Sequence, residues 1–335
     1  MRKRTGVLTT YRALAMVFIL LCHYNAESTV GIVSALSQFF NVGVEMFVLL
    51  SGFLFGQKGE QIYSNIKSWY LKRIRRIFVP YELLVALLFV IHLIKGSFRA
   101  TLDWFLLVLG LQGTVVGVVG AEHTWFISAI LLCYLLTPAL SFLYDKTPKL
   151  RMLMMICFAL LPLALALVPA AFVFTLGSKV CLYALAYIFG RRFNVERMEQ
   201  SKALTFSVAD LLVAIAVRLA AKSICDGTIW YDRVAVGYTQ MVIAIGILII
   251  CTVIFRNRNA PQWLSNIADI SFEVYLVHYM FCIGPVKLFG CTGWWGADAA
   301  LVTAISVFLG SVLHVAARKI LGAIDNLCAR PKGIQ

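Results

Sequence analysis

The sequence predicts an all-α polytopic integral membrane protein with about ten transmembrane helices and both termini in the cytoplasm. Hydrophobic residues make up 61% of the 335 residues and charged residues only 14%. The mean hydropathy is +0.86, so the chain is far more apolar than a soluble domain. A transmembrane helix needs about 20 mostly apolar residues to cross roughly 30 Å of hydrocarbon, and such stretches recur along the whole chain.

Ten apolar stretches are predicted to cross the membrane. They lie near residues 8–24, 36–56, 77–95, 123–143, 151–169, 172–190, 203–222, 234–255, 271–290 and 297–317. The stretch 102–120 is apolar but rich in glycine towards its end and contains Asp103, which favours an interfacial or re-entrant element on the outer side. A full eleventh span there is the alternative, and it would invert the topology of everything that follows.

The basic residues support the ten-span topology and the cytoplasmic termini. Short loops rich in Lys and Arg stay in the cytoplasm, and ten spans place the basic connections on one side. The net charge of +14 then reflects topology and attraction to anionic lipid. A nucleic-acid partner is not expected, because the cations lie in short interhelical loops and not on a continuous soluble face.

Residues 1–335 are expected to form a single transmembrane domain without a soluble accessory domain. No soluble segment or low-complexity tail extends beyond the apolar stretches. The nine cysteines show no CxxC or other metal-type spacing, so no metal site is expected.

The first span carries two ionisable residues, Arg12 and His23. Eleven positions correspond to three helical turns plus about 20°, and to about 16 Å along the axis, so both side chains share one helical face. Ionisable groups inside a membrane are functional candidates because their insertion is costly. The alternative is that Arg12 and His23 only reach the two headgroup regions from the ends of the helix.

The second span contains Glu45 in mid-helix, followed by Ser51 and Gly52. A buried carboxylate needs a partner, and an antiparallel first span would bring Glu45 near His23, where it would orient the imidazole. Gly43 and Gly52 would permit the close helix approach that membrane bundles favour. A structural hydrogen bond from Glu45 to another helix is the alternative.

A basic cluster, which includes Lys72, Arg73 and Arg76, precedes the predicted third span. Arg73 and Arg76 are three positions apart and so lie on one helical face, and guanidinium groups suit phosphate oxygens. Pro80 is expected in the first turn of the span, where its missing N–H is best tolerated. A phosphorylated cytoplasmic donor would fit this cluster; the alternative is topology alone.

Two further polar groups occur in later spans. His123 and Trp125 lie where the fourth span enters from the outer side, and Ser271, Tyr275 and His278 follow each other at i, i+4 and i+7 on one helical face. Each group alone is a weak signal because Trp, Tyr and His are common at membrane interfaces. Together they add polar side chains to an interior that a purely structural bundle would hardly need.

In their order and content these segments resemble the bacterial membrane-bound acyltransferase family 3, which includes O-acetyltransferases of cell-surface polysaccharides. The resemblance extends from Arg12 to about Phe281. It is carried by YRALAMVFILLCH, VGVEMFVLLSGFLFG, KRIRRIFVPY, HTWFISAILLCYLLTP and ISFEVYLVHYMF. An Arg and a His separated by ten residues would be common by chance, whereas the ordered set is much more specific.

The resemblance implies transfer of an acyl group, most often acetyl, from a cytoplasmic acyl-CoA to a hydroxyl of a sugar or polysaccharide. No permanently bound cofactor is implied, and the chain would be a multi-pass protein of the bacterial cytoplasmic membrane. In this hypothesis His23 is the general base, Glu45 orients it, and Arg12 lines the path from the donor entrance. A transient acyl group on His23 or Ser51 is an open alternative.

The remaining candidates are assigned to the two substrates. The CoA phosphates would be held by Arg73 and Arg76, with Lys72 beside them. Trp125 could stack on a sugar ring. Three side chains would either hydrogen-bond acceptor hydroxyls or support the core: His123, Tyr275 and His278. The two other histidines, His92 and His314, fit no motif and are expected to be packed or interfacial.

Three other functions remain open at this point. A transporter or flippase of a polar lipid or glycan would also carry intramembrane charges, but the sequence shows no internal repeat and no pair of Gly- or Pro-interrupted spans in matching positions. A succinyl or longer acyl donor is an alternative within the enzyme class. A purely structural membrane protein would leave Arg12, Glu45 and the ordered motifs unexplained.

Overall fold

A computed structural model describes residues 6–28, 30–62, 65–112, 117–192, 200–255 and 258–329. Within these residues the structure is helical. Its α-helices are α1 Gly6–Ala26, α2 Gly31–Phe40, α3 Val42–Lys58, α4 Ile66–Ile94, α5 Leu102–Val108, α6 Trp125–Lys146, α7 Arg151–Ala166, α8 Ala171–Arg192, α9 Gln200–Cys225, α10 Val236–Phe255, α11 Gln262–Cys282 and α12 Trp295–Ala329. A π-helix, Trp230–Ala235, leads into α10.

The predicted all-α polytopic membrane fold is confirmed. In the described parts of the chain, nine helices are long and apolar enough to cross a membrane. The helix α11 has 21 residues, which corresponds to about 31 Å, so it is long enough to be the tenth. Its most apolar stretch is less hydrophobic than those of the other nine, since the stretch includes Asp269, Glu273 and His278.

The stretch 102–120 does not form an eleventh span in the residues that are described there. Its helix α5 has seven residues, or about 10 Å, which is a third of the hydrocarbon thickness. The hydroxyl of Tyr81 on α4 donates a hydrogen bond to the carbonyl of Leu107 in α5. This short helix is therefore docked on α4, as expected for an interfacial or re-entrant element. Residues 113–116 lie outside the described residues.

The third predicted span began too late. Residues 57–76 were expected to be a connection, but α4 begins at Ile66 and the basic cluster is part of the helix. Pro80 consequently lies inside α4 and not in its first turn. The apolar pattern located only the membrane-embedded part, because a polar helical extension carries no hydropathy signal.

The ninth predicted span was displaced along the chain. It was expected over 271–290, whereas α11 begins at Gln262 and ends at Cys282. Pro285 cannot donate a backbone hydrogen bond within a helix, and Gly284 packs closely on the backbone of Gly120. The apolar residues after Cys282 therefore belong to an irregular segment, and polar residues before Ser271 belong to the helix.

The chain folds into two compact units. Unit 1 comprises Met1–Ile66 and Ser128–Asp269, and unit 2 comprises Lys67–Ile127 and Ile270–Gln335. The expectation of one transmembrane domain over 1–335 stays a prediction.

The helix α3 is the centre of unit 1 and contacts α1, α8 and α10. Its packing on α8 depends on glycines. A Cβ atom at Gly52 or Gly56 would lie within 3.0 Å of a backbone carbonyl oxygen of α8, and one at Gly190 of α8 would meet the carbonyl of Phe53 in the same way. The close helix approach expected at Gly43 and Gly52 is confirmed.

The helices α2 and α3 meet at an irregular residue, Asn41, within one predicted span. The carbonyl of Gln38 accepts hydrogen bonds from Arg218 Nη2 of α9 at 2.9 Å and from Gln240 Nε2 of α10 at 3.3 Å. Arg218 is only 8% exposed. Arg218, a buried cation inside the predicted span 203–222, thus binds a backbone carbonyl next to the junction of α2 and α3. The sequence did not indicate this role.

Candidate functional site

Arg12 and His23 lie on one continuous helix, α1, as predicted. Both side chains are half-buried. Because they are eleven positions apart, they occupy one face and are separated by about 16 Å along the axis. His23 is in the last turn of α1 and Arg12 in its second turn, so the two groups are suited to opposite ends of a path along α1.

Glu45 is paired with Lys179, and not with His23 as expected. The Lys179 ammonium of α8 donates to Oε1 of Glu45. The other carboxylate oxygen, Oε2, is buried without a hydrogen-bond partner among the described residues. The side chains of Glu45 and Lys179 are 1% and 14% exposed. Glu45 therefore has the structural link to another helix that was the alternative.

The direction of Glu45 follows from the helical geometry of α3. Gly43 packs against the Ala15 carbonyl and the Ile19 side chain of α1. Two helical positions correspond to a rotation of about 200°, so Glu45 lies on a different face of α3 from Gly43. Seven positions correspond to nearly two full turns, which places Glu45 above Gly52, on the face that packs against α8. The sequence predicted that Gly43 would lie on a face of α3 in close contact with another helix. It did not predict which helix packs on each face.

Ser51 is half-buried on α3 and precedes Gly52. It lies about 9 Å along the helix axis from Glu45. Its role as an alternative acyl carrier stays a prediction.

The basic cluster of α4 belongs to unit 2. Lys72 and Arg76 are exposed, and Arg73 is half-buried. Arg75, which the sequence analysis did not assign a role, lies 3.8 Å from the Asp325 carboxylate of α12. All three arginines belong to the helix α4. Arg73 and Arg76 therefore lie on one helical face, as the sequence predicted.

Unit 2 brings His123, Tyr275 and His278 together. His123 Nε2 donates to the carbonyl of Leu276 at 3.0 Å, and the Tyr275 hydroxyl donates to the carbonyl of His123. His278 Nδ1 donates to the carbonyl of Tyr275 at 2.6 Å. These bonds join the short 3₁₀ helix Glu122–Thr124 to α11.

The same cluster is completed by aromatic packing. Tyr279, which the sequence analysis did not select, stacks on His123 with ring centroids 4.7 Å apart. His123 and His278 are 4% and 0% exposed. Such burial fits the expectation that these side chains support the core. Trp125 is half-buried, and its ring lies against Phe126.

The two histidines without a motif have defined partners in unit 2. His92 contacts the Ser97 hydroxyl at 2.9 Å and the Val119 carbonyl at 3.0 Å, so it is a packed residue as expected. His314 of α12 lies 2.9 Å from the carboxylate of Glu273 on α11. That pair was not expected, because Glu273 lies off the face shared by Ser271, Tyr275 and His278.

The predicted site residues divide between the two units. Unit 1 contains the candidates for acyl chemistry: Arg12, His23, Glu45 and Ser51. Unit 2 contains the candidates for donor and acceptor contacts: Lys72, Arg73, Arg76, His123, Trp125, Tyr275 and His278. The structure adds Lys179 as the partner of Glu45, and its single charge in the span 172–190 was the available signal.

Comparison with known proteins identifies the family of this chain. A family profile described as an acyltransferase domain matches residues 8–316. Since the match covers nearly the whole chain, the chain belongs to this family, and its class is that of a helical membrane protein with an acyltransferase domain.

One curated relative gives a more particular likeness. The succinoglycan biosynthesis protein ExoH of Rhizobium meliloti (strain 1021) is 23% identical over 258 residues. The alignment covers 72% of this chain and 65% of that protein, so the chain matches somewhat less than two thirds of its relative's length. No solved structure matches significantly.

Proposed function

We propose that this chain is an O-acyltransferase of the bacterial cytoplasmic membrane that transfers an acyl group, most often acetyl, from cytoplasmic acyl-CoA to a hydroxyl of a surface glycan. The observation that carries the proposal is the placement of Arg12 and His23 on one face of α1 in a chain of the acyltransferase family. The relative named for succinoglycan biosynthesis supports a glycan acceptor.

His23 is the proposed general base. Its imidazole takes the proton of the acceptor hydroxyl while the hydroxyl oxygen attacks the thioester carbonyl. The carbon–sulfur bond then breaks, and the imidazolium returns the proton to the departing CoA thiolate. The products are an ester and a free thiol, so atoms and charge balance without a further reactant. Imidazole suits both steps because its ordinary pKa is close to neutral pH.

The donor is proposed to approach from the cytoplasmic side. Arg73 and Arg76, with Lys72 beside them, are exposed or half-buried on one helical extension, where guanidinium groups can bind phosphate oxygens in a bidentate manner. Arg12 lies nearer the amino-terminal end of α1 and His23 nearer the other end. This order matches a donor made inside and an acceptor met outside.

The pairing of Glu45 with Lys179 changes one part of the proposed mechanism. Glu45 does not orient His23, so the base acts without a carboxylate from α3. Trp125 remains the candidate for stacking on a sugar ring, since it is half-buried in unit 2 and aromatic faces suit sugar C–H surfaces.

Transfer of radiolabel tests the proposal. Membranes with the wild-type chain should move label from acetyl-CoA to envelope glycan, and membranes with His23→Ala should not, at equal protein level. If label is transferred from succinyl-CoA alone, the protein is still an acyltransferase, but the group that it transfers is succinyl and not acetyl. If the glycan receives no label from either donor and glycolipid moves across the bilayer, the protein is a transporter and the proposed transferase function is wrong.

A further inference from the structure

A pocket opens in unit 1 beside the Glu45–Lys179 ion pair. It has about 300 Å³ of empty space between its walls. This volume includes space that is open to the outside, and the pocket has room for about one group the size of a water molecule or a hydroxyl. Its polar and aromatic lining consists of Glu45, Phe174, Ser178, Lys179, Arg233 and Tyr238.

Glu45, which lines the pocket, has an unused hydrogen-bond acceptor. Glu45 is 1% exposed, and its Oε2 atom has no partner among the described residues while Oε1 is bound by Lys179. A buried carboxylate oxygen left without a donor is costly. A group that donates a hydrogen bond inside the pocket would remove this cost.

Arg233 supplies hydrogen-bond donors to the same pocket. Its Nη1 atom donates to the carbonyls of Ala166 at 2.9 Å and Val168 at 2.7 Å, and its guanidinium lies 5.6 Å from the centre of the Phe174 ring. These contacts hold the side chain in place. A guanidinium has five N–H donors, so the group has further donors beyond those that bind the two carbonyls.

Arg233 belongs to a π-helix, Trp230–Ala235, next to the start of α10. Such segments are rare and often occur at functional sites. Here the π-helix places the guanidinium at the carbonyls of Ala166 and Val168, at the end of α7. In a regular α-helix the side chains before Val236, including Arg233, would project in different directions.

The pocket lies towards the end of unit 1 that is opposite its basic end. At the basic end, Arg191 of α8 pairs with Asp145 of α6, and Arg151 donates to the carbonyl of Tyr144. The pocket instead involves the end of α7 and Lys179, which is about 12 Å from the start of α8. By the positive-inside rule this is the extracytoplasmic half, where a surface glycan, and not the nucleotide of CoA, is available.

We propose that the pocket formed by Glu45, Lys179 and Arg233 binds a hydroxyl of the glycan acceptor other than the one that is acylated. A hydroxyl both donates and accepts, so it can donate to Glu45 Oε2 and accept from Lys179 or Arg233. An anionic group would fit less well because Glu45 Oε2 would repel it. The inference rests on the proposed function, since it assigns part of the acceptor to this pocket.

The pocket is a binding subsite and not part of the acyl-transfer chemistry. None of its lining residues belongs to α1, the helix that carries His23. Loss of the pocket should therefore weaken acceptor binding and leave donor binding unchanged.

Two variants and one matched control test the subsite. Arg233→Gln removes the charged donor. Ser178→Leu fills the pocket without altering a charge. Thr175→Leu is the control, because Thr175 lies one turn earlier on the same helix and does not line the pocket. The acceptor is the envelope polysaccharide of the host cells after its esters have been removed with mild alkali.

Both pocket variants should raise the KM for this polysaccharide about tenfold or more, as expected for loss of a hydrogen bond to a charged group. The KM for acyl-CoA and all values for Thr175→Leu should remain at the wild-type level. An unchanged polysaccharide KM in folded Ser178→Leu, or a change confined to the KM for acyl-CoA, would overturn the subsite.

Equilibrium binding of tritiated polysaccharide to purified protein, without acyl-CoA, separates this inference from the proposed function. If wild type binds but transfers no acyl group, and Ser178→Leu does not bind, the subsite stands and the proposed function falls. If wild type transfers acyl groups and Ser178→Leu binds equally well, the subsite falls alone. Failure of wild type to bind also overturns the subsite.

Discussion

The Glu45 carboxylate of α3 and the Lys179 ammonium of α8 form a buried ion pair in unit 1. Both helices meet closely through Gly52, Gly56 and Gly190. The pair therefore lies at the close contact of α3 and α8, where the Glu45 side chain is 1% exposed and the Lys179 side chain 14% exposed. Its stability effect should depend on whether one charge or both are removed.

Lys179→Met should lower the free energy of unfolding by about 3–5 kcal/mol, because it leaves the Glu45 carboxylate buried without a counterion. The double variant Glu45→Gln with Lys179→Met should recover most of this loss. Unfolding in detergent, followed by circular dichroism against denaturant, measures both. Equal destabilisation of the single and double variants would show that the ion pair has no such role.

Replacement of His23 should separate chemistry from folding. His23→Ala should abolish acyl transfer and keep the wild-type elution volume and unfolding midpoint, since the half-buried imidazole is proposed to act on substrate and not to hold the core.

His92→Gln is the matched histidine control. His92 is 6% exposed and contacts Ser97 and Val119, so this variant should lose stability but keep its transfer rate per folded molecule. A His23→Ala variant with normal turnover would remove His23 from the mechanism.

The basic cluster of α4 should act on donor affinity. Arg73→Ala with Arg76→Ala should raise the KM for acyl-CoA by about tenfold or more, because two charge-assisted contacts to phosphate are lost. The acceptor KM should not change. Initial rates at varied acyl-CoA concentration measure this effect.

Lys146→Ala is the control for removing a basic residue, since Lys146 is exposed at the end of α6. Its donor KM should equal that of wild type. If the double arginine variant behaves like Lys146→Ala, the cluster serves membrane topology alone.

The contact between α3 and α8 should not tolerate a larger residue at Gly56. In Gly56→Ala the new Cβ would lie within 3.0 Å of the backbone carbonyl of Tyr187, so α8 would have to move. We expect a loss of about 1–3 kcal/mol in the free energy of unfolding.

Gly322→Ala gives the opposite expectation for the same substitution. Nothing lies within 4 Å of a Cβ at Gly322, which is inside α12, so alanine should stabilise this helix by about 0.5–1 kcal/mol. Thermal unfolding of each variant and of wild type measures both the expected loss and the expected gain in stability. Similar midpoints for Gly56→Ala and Gly322→Ala would contradict the close packing.

Several features of the fold could be predicted because they depend on short-range patterns. The eleven-residue spacing of Arg12 and His23 determines their common face in any continuous helix, and α1 is continuous. The boundaries of α4 and α11 were less accurate. Hydropathy marks the part of a helix that meets lipid, whereas hydrogen bonding continues into polar residues such as those before Ile77.

The partner of Glu45 could not be predicted in the same way. A buried carboxylate needs a partner. His23 was the expected one, because the first span is a neighbour of the second span in the chain. The choice depended on which helix covered which face of α3. Lys179 is 134 positions away, and no local pattern encodes that distance.

The sequence by itself determined that this chain is a helical membrane protein and which of its residues carry ionisable groups into the bilayer. Both properties follow from the cost of burying polar groups in hydrocarbon, which acts on each segment separately. Only the tertiary structure decided that Glu45 meets Lys179, that Arg233 binds the carbonyls at the end of α7, and that His123 joins α11. Those contacts depend on helix packing among residues distant in the chain, where close approach and shape select one partner from many.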